Sequence, residues 1–243
     1  MLWLGNSLSK MEQLCIKSAV IQGIKPRVFV YEKPQNSELL NEYVTWADAK
    51  DILPEQKIYA TASSLGRHPT YATFSNTFRY KFLYGHGGWW SDMDNVFVQP
   101  LNIPRKIIMP GERMHGNIRP MSNIMIFPAK DPYIARCLEK AQDQENVGLN
   151  LNYPNLGPRL MHEVLLESYP EYSEYMLHSH IFNPIPWSAV RSLRESLGNF
   201  RLPKSTITVH LYQEEWMQKG IDKNGQFPQD SPYETLKRQF GVK

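Results

Sequence analysis

Residues 74–98 read FSNTFRYKFLYGHGGWWSDMDNVFV, and this stretch decides the fold. Phe74, Phe78 and Phe82 recur at i, i+4 spacing, which predicts a helix with an aromatic packing face. Ser75 and Arg79 fall together on a neighbouring face, with Asn76 three residues before Arg79, so the other side is expected to present polar groups. Gly85, Gly87 and Gly88 should end the helix, because glycine tolerates the left-handed conformation that closes helices. A short aromatic strand follows at Trp89-Trp90-Ser91, running into Asp92-Met93-Asp94. In an extended segment Asp92 and Asp94 point to the same side. Two carboxylates so placed suit a hard divalent cation such as Mg2+ or Mn2+, which takes oxygen ligands and is often shared with a substrate's phosphates. An acid-x-acid pair by itself arises by chance; the helix, glycine break and strand before it give it a structural setting.

Upstream, Leu2 to Leu4 reads as a first strand. Ser9-Lys10-Met11-Glu12 then has the capping-box pattern of a helix start, and the helix carrying Leu14, Ala19 and Val20 is stopped at Gly23. Arg27 to Tyr31 follows as an apolar strand, giving a β-α-β opening with a crossover long enough for parallel pairing. The glycine fingerprint of dinucleotide binding is missing, which argues against an oxidoreductase. Ser37 to Tyr43 and Ala47 to Leu53 are read as short helices flanking a strand at Val44 to Trp46.

Downstream, Ile107 to Met109 and Ser122 to Phe127 read as buried strands, and Tyr133 to Gln142 as a helix. Gly157-Pro158 begins a further helix through Leu166, proline being tolerated near a helix start. Ser188 to Leu197 is expected as helix, Thr206 to Leu211 as a β-branched strand delivering His210 to its end, and Pro232 to Phe240 as a closing helix.

A chain of 243 residues with 42% hydrophobic content can bury one sizeable core, so a single α/β domain over 1–243 is expected. Its 1–100 half ends in the Asp92-Met93-Asp94 pair, and its 101–243 half carries the later motifs through His210. The formal charge of +3 is small, and Lys and Arg are scattered, which argues against nucleic acid as a partner. Cys15 and Cys137 lack the spacing of a zinc or redox motif. No apolar run is long enough to span a bilayer, and the opening residues lack the pattern of a signal peptide. The expected location is cytoplasmic, with peripheral contact to a membrane surface left open.

Trp3-Leu4-Gly5, Ser75 to Arg79, Gly87-Gly88-Trp89-Trp90-Ser91-Asp92-Met93-Asp94, Gly157-Pro158 and His210-Leu211-Tyr212 followed by Trp216 occur in this order. Together they resemble the glycosyltransferases with a DXD sugar-binding region, the group related to yeast initiating α-mannosyltransferase and to clostridial glucosylating toxins. The resemblance implies a GT-A fold: a Rossmann-like nucleotide-sugar-binding domain with a mixed central sheet flanked by helices, a divalent cation on the donor diphosphate, and transfer with retention. It implies that Asp94 ligates Mn2+ or Mg2+ and that Asp92 contacts the ribose and the metal. Ser75, Asn76 and Arg79 would hold the donor sugar. Trp3 would stack on the base with Leu4 and Gly5 beside it, and His210 would be a third metal ligand or a diphosphate contact. Asn76 stands where many relatives have aspartate, and Tyr212 where tryptophan is frequent.

The function this implies is transfer of a sugar from a nucleotide-diphosphate sugar to a glycan or glycoconjugate hydroxyl, in polysaccharide or lipopolysaccharide biosynthesis. A UDP-sugar is favoured as donor and a GDP-sugar remains open. The alternative is a catalytically weak nucleotide-sugar-binding or carbohydrate-interaction protein on the same fold, kept open by Asn76. Lys219 is a further candidate for phosphate, and His178 and His180 are read as an ordinary loop. Replacing Asp94 by Ala is expected to remove metal-supported binding with the fold largely intact.

Overall fold

The structure is a computed structural model describing residues 1–62, 68–114, 116–147 and 155–243. The chain forms two compact units. The first consists of Met1–Asp48, Asp92–Ile103 and His180–Lys243, the second of Ala49–Ser91 and Pro104–Ser179.

In the first unit, strand Leu2–Trp3 pairs in parallel with Arg27–Val30, which pairs in parallel with Thr45–Asp48. The crossover is helix Lys10–Ile21, and its capping box forms as the sequence predicts: Ser9 Oγ accepts from Met11 N–H and Glu12 reaches back to Ser9 N–H. Gly23 closes it at φ +80°. A separate antiparallel pair, Asn95–Phe97 with Thr208–His210, lies against this helix. The Ser18 hydroxyl donates to Cys15 O and accepts Phe97 N–H at 3.0 Å, so a buried polar group joins helix to strand. The core gathers Met11, Leu14, Val96, Val209, Trp216, Tyr233 and Leu236, and the Trp216 and Tyr233 rings meet edge to face at 4.8 Å.

In the second unit, helix Ala72–His86 places Phe78 and Phe82 against Trp90 of strand Gly88–Ser91, with centroids 6.0 and 6.1 Å apart. Gly87 joins them at φ +65°, and a Cβ there would lie 2.4 Å from Ala129 N. Only glycine satisfies both conditions. Strand Gly88–Ser91 pairs antiparallel with Ile124–Phe127, while Met109–Met114 pairs with Asn117–Pro120 and Met176–Leu177. Helix Pro132–Val147 begins at Asp131, whose Oδ1 accepts from Tyr133 and Ile134 N–H. Burial raises the Asp131 pKa, while these two amides and the Tyr172 hydroxyl oppose the rise.

Five readings of local structure change. Asp92-Met93-Asp94 is a turn between strands Gly88–Ser91 and Asn95–Phe97, not an extended segment. The chain changes pairing partner here, and buried Met93 turns into a cluster with Leu8, Ile16, Val28 and Val30. The predicted helices at 37–43, 47–53 and 188–197 are 3-10 turns over Ser37–Leu40, Ala49–Asp51 and Trp187–Arg194. In the last of these the buried residues are Val190 and Leu193, three apart, which matches the tighter winding. The helix expected from Gly157 starts at Leu160, after a wider turn over Asn155–Arg159.

Candidate active site

Asp94 is buried at the turn, and both its backbone and its side chain are held by the segment after strand Thr208–His210. Its carbonyl accepts Leu211 N–H at 2.8 Å. Its Oδ2 accepts Gln213 N–H at 2.8 Å and lies 3.2 Å from His210 Nε2. Helix Gln213–Gln218 has no local side-chain cap, since Tyr212 stands at the capping position. Asp94 therefore performs the capping role across the sequence, satisfying an amide otherwise left orphaned at a helix start.

Tyr212 adopts φ +54°, ψ +56°, an uncommon conformation for a bulky residue. Its ring is buried, lies 4.0 Å from the His210 ring by centroid, and its hydroxyl donates to Ile185 O. These contacts fix the left-handed turn that aims Gln213 N–H at Asp94. Asp92, two residues before Asp94, is half-buried, and its carbonyl accepts from Asn95 Nδ2 at 3.3 Å.

Trp3, Leu4 and Gly5 lie at the end of the first parallel strand in the same unit. The Trp3 indole folds over Gly5, where a Cβ would come within 2.7 Å of Cζ2. The Trp3 Nε1–H is buried with no acceptor among the described residues. Lys223 Nζ sits 5.1 Å from the indole centroid and is paired with Oε1 of fully buried Glu12 at 2.6 Å. Sequence reading missed this pair because its members are 211 residues apart. Lys219, a candidate for phosphate, pairs instead with Glu215 at 2.8 Å.

The second unit holds Ser75, Asn76 and Arg79. The pattern predicted an outward polar face, but Asn76 and Arg79 are 3% and 4% exposed. The Arg79 guanidinium donates to Ser75 O, Ser75 Oγ and Ser122 O, and its carbon lies 5.3 Å from the Trp90 ring centroid. Asn76 Oδ1 accepts from Ser122 Oγ at 3.4 Å. A Cβ at Gly157 would lie 2.9 Å from Asn76 Nδ2, so Gly157 reaches Asn76 because it has no side chain. Ser122 was not singled out from sequence, where it is one residue of an apolar strand pattern.

The donor chemistry of Asp92, Asp94 and His210, two carboxylates and an imidazole, fits a divalent cation shared with a diphosphate. Among the described residues no group of three or more His, Cys, Asp or Glu side chains is gathered to hold a metal by itself; Ser179 and His180, expected in a loop, begin the short helix Ser179–Phe182. No described helix is long and apolar enough to cross a membrane.

The family model of the glycosyltransferase sugar-binding region containing a DXD motif matches residues 9–113. No curated protein sequence matches the chain. Among solved structures, PaToxG glycosyltransferase is similar at 14% identity over 98% of this chain and 85% of that one, with a TM-score of 0.53. A cysteine-to-serine double mutant of a transferase matches at 13% identity over 72% of this chain and 88% of its own, with a TM-score of 0.44. Residues 9–113 thus resemble the DXD-containing glycosyltransferase sugar-binding region, and the chain has a mixed α/β fold similar to that of the GT-A glycosyltransferases.

Proposed function

We propose that the protein is a metal-dependent, retaining glycosyltransferase that moves a sugar from a nucleotide-diphosphate sugar, a UDP-sugar by preference, to a hydroxyl of a glycan or glycoconjugate. Polysaccharide or lipopolysaccharide synthesis is the setting this suits. The observation that carries the reading is the fixed Asp94 carboxylate, anchored at Oδ2 by Gln213 N–H and His210, with Asp92 two residues before it. A bound Mn2+ or Mg2+ would be held by Asp94 and Asp92 and would supply Lewis-acid stabilisation of charge on the departing diphosphate.

Asp94 needs no reorientation when it ligates, because backbone and imidazole already hold it. Trp3 offers a buried indole N–H without an acceptor among the described residues, suited to a base carbonyl. In the second unit, Ser75 and Asn76 supply hydroxyl and amide groups of the kind that recognise sugar hydroxyls. There Arg79 is proposed as a donor-sugar contact whose guanidinium also ties Ser75 to the Ser122 backbone. The test is turnover: a panel of UDP- and GDP-sugars with Mn2+ and glycan acceptors should yield glycosylated product and free nucleoside diphosphate. Metal-dependent nucleotide binding without product from any donor would favour the binding-protein alternative.

A further inference from the structure

The second unit contains a cavity of about 300 Å3 whose lining includes none of the residues proposed for the donor. Its walls include Leu53, Lys57, Phe74, Thr77, Gln142 and Glu145. Glu145 is fixed there: its Oε1 accepts the hydroxyls of Tyr59 and Thr77, each at 2.6 Å. Its other carboxylate oxygen has no donor among the described residues. Burial raises the Tyr59 pKa far above its ordinary value and the Glu145 charge adds to this, so the phenol remains a donor.

We infer that this cavity binds one neutral sugar residue. The lining offers an ordered carboxylate acceptor, an amide that both donates and accepts at Gln142, and an ammonium donor at Lys57, against the apolar surface of Leu53 and Phe74. A pyranose ring presents the matching pattern, hydroxyls at its edge and C–H groups on its face. The charges of Lys57 and Glu145 oppose each other, so an anionic ligand meets the carboxylate and a cationic one meets the ammonium. The volume stands at the lower end of the range for small-molecule sites, roughly 300–1,000 Å3, which suits a single ring rather than an oligosaccharide. Phe74 and Thr77 lie on helix Ala72–His86, the helix that carries Ser75, Asn76 and Arg79. At about 100° per residue, Thr77 and Phe74 point away from the Ser75 and Arg79 side.

The test is saturation-transfer NMR and calorimetry on the full chain, without nucleotide or metal, using the methyl glycosides of glucose, galactose, mannose and N-acetylglucosamine. At least one should bind in the millimolar range. Glu145→Gln should weaken binding roughly tenfold, as expected for loss of one charge-assisted hydrogen bond. Gln142→Ala, which alters a half-buried wall residue, should also weaken it, and Asp94→Asn should leave it unchanged. Circular dichroism and thermal unfolding would establish that each variant folds. The inference is overturned if none of the four glycosides binds, if binding is indifferent to both cavity variants, or if Asp94→Asn removes it equally. Because no metal or nucleotide is present, failure here is separate from failure of the donor reading.

Discussion

His210 Nε2 lies 3.2 Å from Asp94 Oδ2, the same oxygen that accepts Gln213 N–H. An imidazole and a helix amide thus converge on one carboxylate oxygen. On the proposed reading, in which Asp94 ligates the metal, this geometry makes His210 a positioning residue for Asp94. Partners that orient a metal ligand typically contribute about 10- to 100-fold in metal affinity. His210→Ala should therefore weaken Mn2+ binding in the presence of UDP by about that factor, read by electron paramagnetic resonance titration. His210→Gln, which can donate a hydrogen bond, should recover part of the loss. An unchanged Mn2+ affinity in His210→Ala would refute the positioning role.

Gly157 and Asn76 are coupled by close approach, with a Cβ at 157 placed 2.9 Å from Asn76 Nδ2. Gly157→Ala should cost about 1–3 kcal/mol in denaturant unfolding, the usual range for forcing extra volume into a packed site. Combining it with Asn76→Ser should recover much of that cost. Strict additivity of the two changes would show that the contact does not govern the effect.

Glu12 is fully buried and its pair with Lys223 is mostly so, the lysine side chain being 20% exposed. Removing one member of a buried pair leaves the other charge uncompensated. Lys223→Met is expected to destabilise the protein by about 3 kcal/mol, toward the lower end because the lysine keeps some solvent contact. The Lys223→Met, Glu12→Gln double variant should be more stable than Lys223→Met alone. Urea denaturation would show whether that order holds.

His162 titrates below its ordinary value because burial disfavours its charged form, with Arg119 adding to the effect. Its folded pKa lies under the unfolded one, so its contribution to stability is present above the unfolded value near 6.5. It is lost as pH falls through the folded value, since the unfolded chain takes the proton first. The apparent Tm should decline on acidification from neutral pH, and His162→Gln should flatten that part of the profile. Identical slopes in the two proteins would remove His162 from the account.

Much of the fold was legible because local signals agreed with tertiary demands. The Ser9–Glu12 capping box, the i, i+4 aromatics at 74, 78 and 82, and the β-branched strand before His210 read correctly for that reason. The turn at Asp92–Asp94 was not legible: which way Met93 points depends on a cluster assembled from residues 8 to 44. Likewise, polar residues at 76 and 79 signal exposure until partners at Ser122 are known. Asp92 and Asp94 could be named as candidate ligands from their spacing, and His210 only through the family resemblance. The capping role of Asp94 could not, because its partner Gln213 is 119 residues away and contributes only a backbone amide. Replacing Asp94 by Ala should therefore also cost about 0.5–2 kcal/mol of stability, the range for losing a helix cap.

The most direct measurement is calorimetric titration of UDP, with and without Mn2+, into the wild-type protein and Asp94→Asn. Asn keeps an oxygen for Gln213 N–H and removes the charge. Binding that requires Mn2+ in the wild type and loses its metal dependence in Asp94→Asn is the predicted result. Equal Mn2+-dependent affinity in both proteins would contradict the assignment of Asp94 as the metal-holding carboxylate.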